Sequence, residues 1–220
     1  MKSSHVNFKP FVGKHYKEGF GPQKDLILVL GESFPCRYRK ECGDCTLENC
    51  RKKGFPDDEF SEAPTKTVQY YLDDRSSNQT FLCFERSVLG KDTTLEESEE
   101  FWSHLAFYNF FQKCFMKEDG ARTYPEFGDW DYSEEAFKEV LANLNPDKII
   151  VWGCRLYEFL PDWGGSGTII SCGEDKTDVW TYDFGGKKIP CMKIYHPSTP
   201  LGKSRDYWHQ FYKVFLGLEK

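Results

Sequence analysis

The sequence offers a carboxylate and an imidazole that both follow apolar runs, far apart in the chain. Glu32 comes directly after "LILVLG", and His196 comes directly after "MKIY". A carboxylate at such a position could orient or activate water, or bind a donor edge of a ligand. An imidazole could donate a hydrogen bond to an oxygen on which negative charge develops. The two stretches could therefore be two halves of one active site, or they could be two ordinary strand ends.

Three small or polar residues accompany this pair. Gly31 permits a sharp exit from a strand and lets a ligand approach the backbone closely. Ser33 and Ser198 add hydroxyl groups beside the carboxylate and the imidazole. We count all three as candidate ligand-binding residues.

Asn109 is a further candidate, because it follows the apolar run "LAFY". Its amide offers both a donor and an acceptor, which suits the recognition of a nucleobase edge. Each candidate also has a structural interpretation. Glu32 could cap a helix or pair with an arginine, Asn109 could close a turn, and a His-Pro step is often structural. Taken singly, each residue leaves both interpretations open.

Buried strands are the elements that must position these side chains. The apolar runs Leu26–Leu30, Leu105–Phe110 and Lys148–Trp152 are continuous, which is typical of strands buried on both faces of a parallel sheet. Val179–Phe184 and Lys188–Tyr195, joined by two glycines, indicate a hairpin or two adjacent strands. Ligands of parallel sheets bind at the carboxyl ends of the strands, which is where the candidates fall.

Helices are predicted between these strands. Thr94 is a suitable N-cap, with Glu97 three residues later, for a helix that reaches about His104. Ser133 is predicted to cap a helix over Glu134–Leu144, and residues 117–132 to form a loop. Alternation of strands and helices indicates an α/β fold with a mainly parallel sheet.

The overall composition favours a single domain that spans residues 1–220. The chain has 220 residues and is 39% hydrophobic, which is enough for a substantial core. We expect an N-terminal arm over residues 1–24 and a Cys-rich insert over residues 36–65. We also expect a monomer.

The net charge of −6 argues against a protein that coats nucleic acid indiscriminately. The charge is uneven, however, because residues 36–53 carry a net +3 and residues 187–220 a net +5. A local basic face on an acidic body would suit an anionic ligand. Alternatively, the lysines simply decorate a C-terminal helix.

The N-terminus lacks the apolar core of a signal peptide, and no apolar run approaches the roughly 20 residues needed to cross a bilayer. We therefore expect a cytoplasmic protein without membrane contact, in which cysteines are thiols or metal ligands. Four cysteines lie within fifteen residues and could hold a structural zinc ion, or be free or redox thiols. They are Cys36, Cys42, Cys45 and Cys50.

In chain order, these pieces resemble the motifs of the uracil-DNA glycosylase superfamily. "GESFP" at 31–35 is similar to its first motif, which reads GQDPY in one branch and GEAPG in another. "HPST" with "PLG" at 196–202 is similar to its second motif, HPSP-L-S. "FYN" at 107–109 falls where the family has a strand-end asparagine. The resemblance covers roughly residues 25–215.

The resemblance implies a three-layer α/β/α fold around a four-stranded, largely parallel sheet. It also implies base flipping in DNA and hydrolysis of the N-glycosidic bond of uracil or a related damaged base. His196 would bind the carbonyl oxygen of the leaving base, Glu32 would position water, and Asn109 would read the base. Leu201 would lie on the loop that wedges into the duplex, and Phe34, Phe55 or Phe60 would stack on the base.

Two features of the chain depart from the family pattern. Ser33 stands where the GQDPY branch has its water-activating aspartate, so Glu32 is the candidate carboxylate, as in the GEAPG branch. The iron–sulfur cluster of some members needs two cysteines before the first motif, and this chain has none there. An alternative function is therefore a non-catalytic protein of the same fold that binds nucleic acid, a nucleotide or a protein partner.

Overall fold

A computed structural model of the chain describes residues 4–33, 60–113, 115, 125, 127–199 and 203–218. Over these residues the chain forms seven strands and six α-helices. The strands are β1 (Phe11–Val12), β2 (Ile27–Gly31), β3 (Leu105–Asn109), β4 (Lys148–Trp152), β5 (Ser166–Cys172), β6 (Asp175–Phe184) and β7 (Lys187–Ile194). The helices are α1 (Ala63–Asp73), α2 (Gln79–Leu89), α3 (Leu95–Ser103), α4 (Phe127–Leu144), α5 (Cys154–Phe159) and α6 (Arg205–Leu216).

All seven strands form one sheet in the order β1-β3-β2-β4-β7-β6-β5. The neighbours β3, β2, β4 and β7 run parallel, whereas β1 pairs antiparallel with β3, and β6 pairs antiparallel with both β7 and β5. The predicted α/β class is thus confirmed.

The predicted four-stranded sheet is too small, because the sheet has seven strands and is mixed. The sequence reading missed β5, whose neighbouring Ile169 and Ile170 hide the alternation that marks a half-buried strand. It also missed β1, which has only two residues. The predicted hairpin of β6 and β7 is confirmed.

Alternate residues of the central strands face two separate cores. Ile27 and Val29 pack with apolar residues of α1, α2, α3 and α6, and Leu28 and Leu30 pack with α4 and Leu156 of α5. The strands are therefore buried on both faces, which explains their continuous apolar runs. The described elements lie in three layers, with helices on each side of the sheet.

The register of the parallel strands brings their carboxyl ends together. Gly31 pairs with Asn109, and Leu30 pairs with Val151. Trp152 pairs with Ile194, two residues before His196. The residues that follow β2, β3, β4 and β7 consequently meet at one edge of the sheet.

The start of α3 agrees with the sequence prediction, whereas the start of α4 differs from it. Thr94 caps α3 in a complete capping box with Glu97, as predicted. The prediction of Ser133 as a cap is wrong, because α4 begins at Phe127 and Ser133 is 1% exposed inside it. The start of α4 is favoured by Trp130, whose ring packs 4.4 Å from that of Phe111.

The boundary of the predicted Cys-rich insert, 36–65, also needs correction. Helix α1 begins at Ala63, inside that range, and Pro64 lies in its first turn. Proline favours a helix start because its missing N–H would be unpaired there in any case.

The predicted N-terminal arm is packed against the sheet. The side chain of Gln112 accepts hydrogen bonds from the backbone N–H groups of Asn7 and Phe8, at 2.8 and 2.9 Å. Within the described part of the chain, no helix is long and apolar enough to cross a membrane.

Candidate functional site

A cavity of about 610 Å³ lies at the carboxyl ends of β2, β3, β4 and β7. Strand-end residues form one wall and residues of α1 and α2 form another, and both include aromatic rings. Six residues proposed from the sequence line this cavity: Gly31, Glu32, Ser33, Asn109, His196 and Ser198. The fold therefore brings together side chains from three distant stretches of sequence.

Seven other residues proposed from the sequence lie outside the described residues. Their proposed roles stay predictions. They are Phe34, Phe55 and Leu201 at the site, and Cys36, Cys42, Cys45 and Cys50 in the cysteine cluster.

Gly31 leaves the space that Asn109 occupies. A Cβ atom at Gly31 would lie 2.2 Å from Oδ1 of Asn109, so only glycine allows this approach. Asn109 is 3% exposed and lines the cavity, where its amide offers a donor and an acceptor to a ligand or water.

Glu32 is held by Arg155, which lies in the first turn of α5. The guanidinium Nε donates to Oε2 of Glu32 at 3.2 Å, and Nη2 donates to Oε1. This is the two-point geometry in which arginine binds carboxylates. The interpretation of Glu32 as the partner of an arginine is thus correct, and the pair nevertheless lies at the cavity.

His196 is oriented by its neighbour Ser198. Nδ1 of the imidazole lies 2.9 Å from Oγ of Ser198. When the hydroxyl donates to Nδ1, the proton of the ring resides on Nε2, which becomes a donor. Gly153, with a φ of +110°, lies close to His196, because a Cβ atom added at Gly153 would be 4.0 Å from Cβ of His196.

Three buried aromatic rings contribute to the apolar part of the cavity, and the sequence analysis missed them. Phe81, Phe107 and Trp152 line it, with ring centroids 5.0 to 5.2 Å apart. Their positions in apolar runs look like ordinary core positions, and the rings do belong to the core. Only their contact with the strand-end residues marks them as part of the site.

Phe60, one of the rings predicted to stack on a base, lies elsewhere. It is 7% exposed and packs on Phe8, with ring centroids 4.6 Å apart. It is not among the described residues that line the cavity, so the prediction for Phe60 is wrong. The N-terminal arm, which supplies Phe8, gives this ring a core role instead.

The second wall of the cavity is polar and comes from α1 and the start of α2. It comprises Thr67, Asn78 and Thr80. Asn78 caps α2, because its Oδ1 accepts the backbone N–H of Thr80 at 3.1 Å. The positive end of the α2 dipole therefore faces the cavity.

Cys154 also lines the cavity, at the start of α5. Burial is the main cause that raises the pKa of its thiol above the ordinary value. The group therefore stays protonated at neutral pH and is a poor nucleophile.

The basic residues of the C-terminal segment are paired with acids. Nζ of Lys187 lies 2.7 Å from Asp147, and Arg205 lies 3.0 Å from Asp92. Lys188 and Lys193 pair with Asp183 and Asp178. The described part of residues 187–220 thus presents ion pairs and not the basic face that the charge count suggested.

Within the described residues, no group of three or more His, Cys, Asp or Glu side chains could hold a metal ion. Comparison of the chain with models of known protein families gives no match, and comparison with curated proteins gives none either. Inferences about function therefore depend on the geometry of the cavity and on the motif resemblance.

Proposed function

We propose that this protein binds a nucleobase in the cavity and hydrolyses the N-glycosidic bond of uracil or a related damaged base in DNA. It would be a divergent member of the uracil-DNA glycosylase superfamily, with the three-layer fold of that family. One observation carries the proposal: Glu32, Asn109 and His196, distant in sequence, line one cavity of about 610 Å³. Ligand pockets commonly span about 300–1,000 Å³, so a flipped nucleotide fits by size.

Asn109 would recognise the edge of the base. The residue is 3% exposed and lines the cavity, so its amide could pair with a ligand that offers a carbonyl and an N–H. Uracil has that donor–acceptor pattern. Gly31 supports this role, because the absence of a Cβ atom at Gly31 leaves the space that the amide occupies.

The aromatic part of the cavity would hold the plane of the base. Phe81, Phe107 and Trp152 offer ring faces and edges next to the strand-end polar groups. Stacking of a base on an aromatic ring contributes about 1–3 kcal/mol and tolerates different bases. Hydrogen bonds to Asn109 would then supply the selectivity.

In the reaction, the bond between the base nitrogen and C1′ breaks and its electron pair leaves with the base. Negative charge grows on the carbonyl oxygen of the base, where a donor such as Nε2–H of His196 stabilises it. The oxygen of a water molecule forms the new bond to C1′. One proton of that water passes to Glu32, and the released base takes up a proton from solvent.

Glu32 would serve this reaction in two ways. Its carboxylate can accept the proton of the attacking water, and its charge stabilises the positive charge that develops on the sugar. Among the described residues that line the cavity, Glu32 carries the only carboxylate. The role of base therefore falls to Glu32.

The test is release of free base from oligonucleotides that carry uracil, other deaminated bases or oxidised pyrimidines, in single and double strands. We expect release of at least one base by the wild type. Glu32→Gln and His196→Ala should each lower the rate by about 100-fold, because each removes a group that acts in the transition state. Absence of release across the whole panel would refute the hydrolytic proposal.

Asp183→Asn is a suitable control for the charge change in Glu32→Gln. Asp183 lies near the end of β6, pairs with exposed Lys188 and does not line the cavity. Its removal should leave base release unchanged. An equal loss in this control would mean that the assay reports folding or net charge.

A second function has specific support from the Glu32–Arg155 pair. A carboxylate bound at two points by an arginine is less available to water. The cavity could then bind a nucleobase or nucleotide without hydrolysis. Fluorescence anisotropy with an oligonucleotide that carries 2′-fluoro-2′-deoxyuridine, which resists hydrolysis, measures binding alone, and the assay for base release then distinguishes the two functions.

Non-catalytic binding predicts affinity that survives Glu32→Ala and His196→Ala but falls in Asn109→Ala, with no base released by the wild type. Hydrolysis predicts the same binding together with measurable release. Binding that is equal in wild type and Asn109→Ala would contradict both functions.

The remaining parts of the proposal concern partners and metal. Damaged DNA is the proposed partner, with Leu201 as the wedge and Phe34 as a stacking ring, and the protein is proposed to be monomeric and cytoplasmic. A structural zinc ion is proposed for Cys36, Cys42, Cys45 and Cys50. Elemental analysis of the purified protein tests the metal, and a finding of neither zinc nor iron would remove it.

A further inference from the structure

Arg155 reaches the cavity because of two features of the fold. Strands β2 and β4 are parallel neighbours, with Leu30 opposite Val151, so the residues that follow them lie side by side. Gly153, with a φ of +110°, then turns the chain into α5. A backbone of this conformation favours glycine, and the turn brings Arg155 next to Glu32.

The ion pair itself contributes little to the stability of the fold. The side chain of Arg155 is 42% exposed and that of Glu32 is 20% exposed. Exposed ion pairs contribute little to stability, because water competes for the charges and two long side chains lose freedom. A stabilising role therefore does not explain why a two-point contact stands at the cavity.

The contact has a clear effect on geometry. A glutamate side chain rotates about three bonds, and two donors from a planar guanidinium fix both the position and the plane of its carboxylate. Reactions that need a water molecule between a carboxylate and a carbon atom depend strongly on such alignment, and a displacement of 1 Å can cost about 100-fold in rate.

We infer that Arg155 is a positioning residue that holds the Glu32 carboxylate in its working orientation at the cavity. The inference rests on the proposed function of the site, in which Glu32 directs water. Arg155 acts through Glu32 and does not itself touch the base. The alternative is a direct contact of Arg155 with a DNA phosphate, and the two donors committed to Glu32 favour the positioning role.

A double-mutant cycle tests this inference with the full chain and the base that the wild type releases best. The variants are Arg155→Ala, Glu32→Gln and the double variant, and kcat and KM are measured for each. We expect Arg155→Ala to lower kcat about 100-fold with KM within about twofold. In the Glu32→Gln background the same change should have almost no effect, because the carboxylate that Arg155 positions is already absent.

Arg155→Lys separates charge from geometry. Lysine keeps the positive charge but lacks the two-point fork, so it should recover little of the lost kcat. Arg205→Ala is the matched control. Arg205 is 39% exposed, pairs with Asp92 and lies outside the described lining of the cavity, so its loss should leave kcat unchanged.

Three results would overturn the inference. Additive losses in the cycle would show that Arg155 acts independently of Glu32. A rise in KM with a weaker salt dependence would assign Arg155 to a phosphate. Full recovery by Arg155→Lys would make charge alone sufficient. In all three cases the wild type still releases base, whereas a wild type without release refutes the proposed function itself.

Discussion

Two glutamates of this chain, Glu32 and Glu85, each pair with an arginine, and their surroundings are opposite. Glu32 stands at a strand end beside a cavity, and its side chain is 20% exposed. Glu85 lies inside α2 and is completely buried. Its carboxylate accepts hydrogen bonds from four side chains outside α2: Arg75, Thr93, and Ser98 and Trp102 of α3.

The difference separates a structural carboxylate from a functional candidate. A buried charge requires several donors, and Glu85 has them, so it joins α2 to α3 and to the segments on either side. Glu32, by contrast, is bound by Arg155, and its side chain stays 20% exposed at the cavity. A carboxylate that remains partly exposed in a cavity can act on a ligand or water, whereas one that is buried and bound by several donors has a structural role.

The largest effect should come from Glu85→Ala. The change leaves Arg75 and three polar side chains without their acceptor, and loss of one partner of a buried pair costs about 3–5 kcal/mol. Urea unfolding measures the free energy of unfolding. Glu32→Ala should cost less than about 1 kcal/mol. Equal losses in unfolding free energy for the two variants would mean that the two carboxylates do not differ in structural role.

Gly31→Ala should affect binding at the cavity more than stability. The added methyl group would lie 2.2 Å from Oδ1 of Asn109 and would displace its amide. We expect affinity for the 2′-fluoro-2′-deoxyuridine oligonucleotide to fall about 100-fold, with a loss in stability of about 1–3 kcal/mol.

Gly128→Ala is the matched control for this change. A Cβ at Gly128 would meet nothing within 4 Å, and alanine favours the helix in which Gly128 lies. It should keep full affinity and full stability. Unchanged affinity in Gly31→Ala would show that Asn109 does not take part in binding.

A smaller effect is expected for Ser198→Ala. The change removes the hydroxyl at 2.9 Å from Nδ1 of His196, a contact worth about 0.5–1.5 kcal/mol. Base release should slow by about threefold to tenfold, and the free energy of unfolding should fall by no more than about 1.5 kcal/mol. Ser171→Ala, at an exposed position of β5, is the control. A stability loss without a rate change would give Ser198 a purely structural role.

The smallest effect concerns Tyr71, which lies fully buried in α1, and it appears only at high pH. Burial is the main cause that raises the pKa of Tyr71 to about 12, above its ordinary value of 10.0. The resulting stability is fully present below pH 10 and is lost as the pH rises through 12.

Tyr71→Phe should therefore flatten the decline in unfolding free energy between pH 10 and pH 12. Denaturant unfolding across that range provides the measurement. Base release at neutral pH should not change, because Tyr71 does not line the cavity. An identical pH profile in wild type and variant would contradict the assignment.

Local patterns determined several elements of this fold. The continuous apolar runs predicted β2, β3 and β4, because strands covered by helices on both faces need apolar residues at every position. The capping box of Thr94 and Glu97 predicted the start of α3. Caps and runs of this kind depend on neighbours within a few residues, so the sequence alone contains the signal.

Other elements depended on contacts between distant residues. Strand β5 is mostly exposed and exists because it pairs with β6. Helix α4 begins six residues before its expected cap, and Trp130 in this additional part packs against Phe110 and Phe111. A local sequence pattern does not show which distant residues will pack against an element.

The candidate site divides in the same way. By itself the sequence identified Glu32, Asn109 and His196, because polar residues directly after buried strands stand out against apolar runs. The tertiary structure alone revealed Arg155 beside Glu32, the space at Gly31 for Asn109, and the rings of Phe81, Phe107 and Trp152. Strand register and helix packing determine these contacts between distant residues. The chemical groups of a side chain, by contrast, follow directly from the residue type.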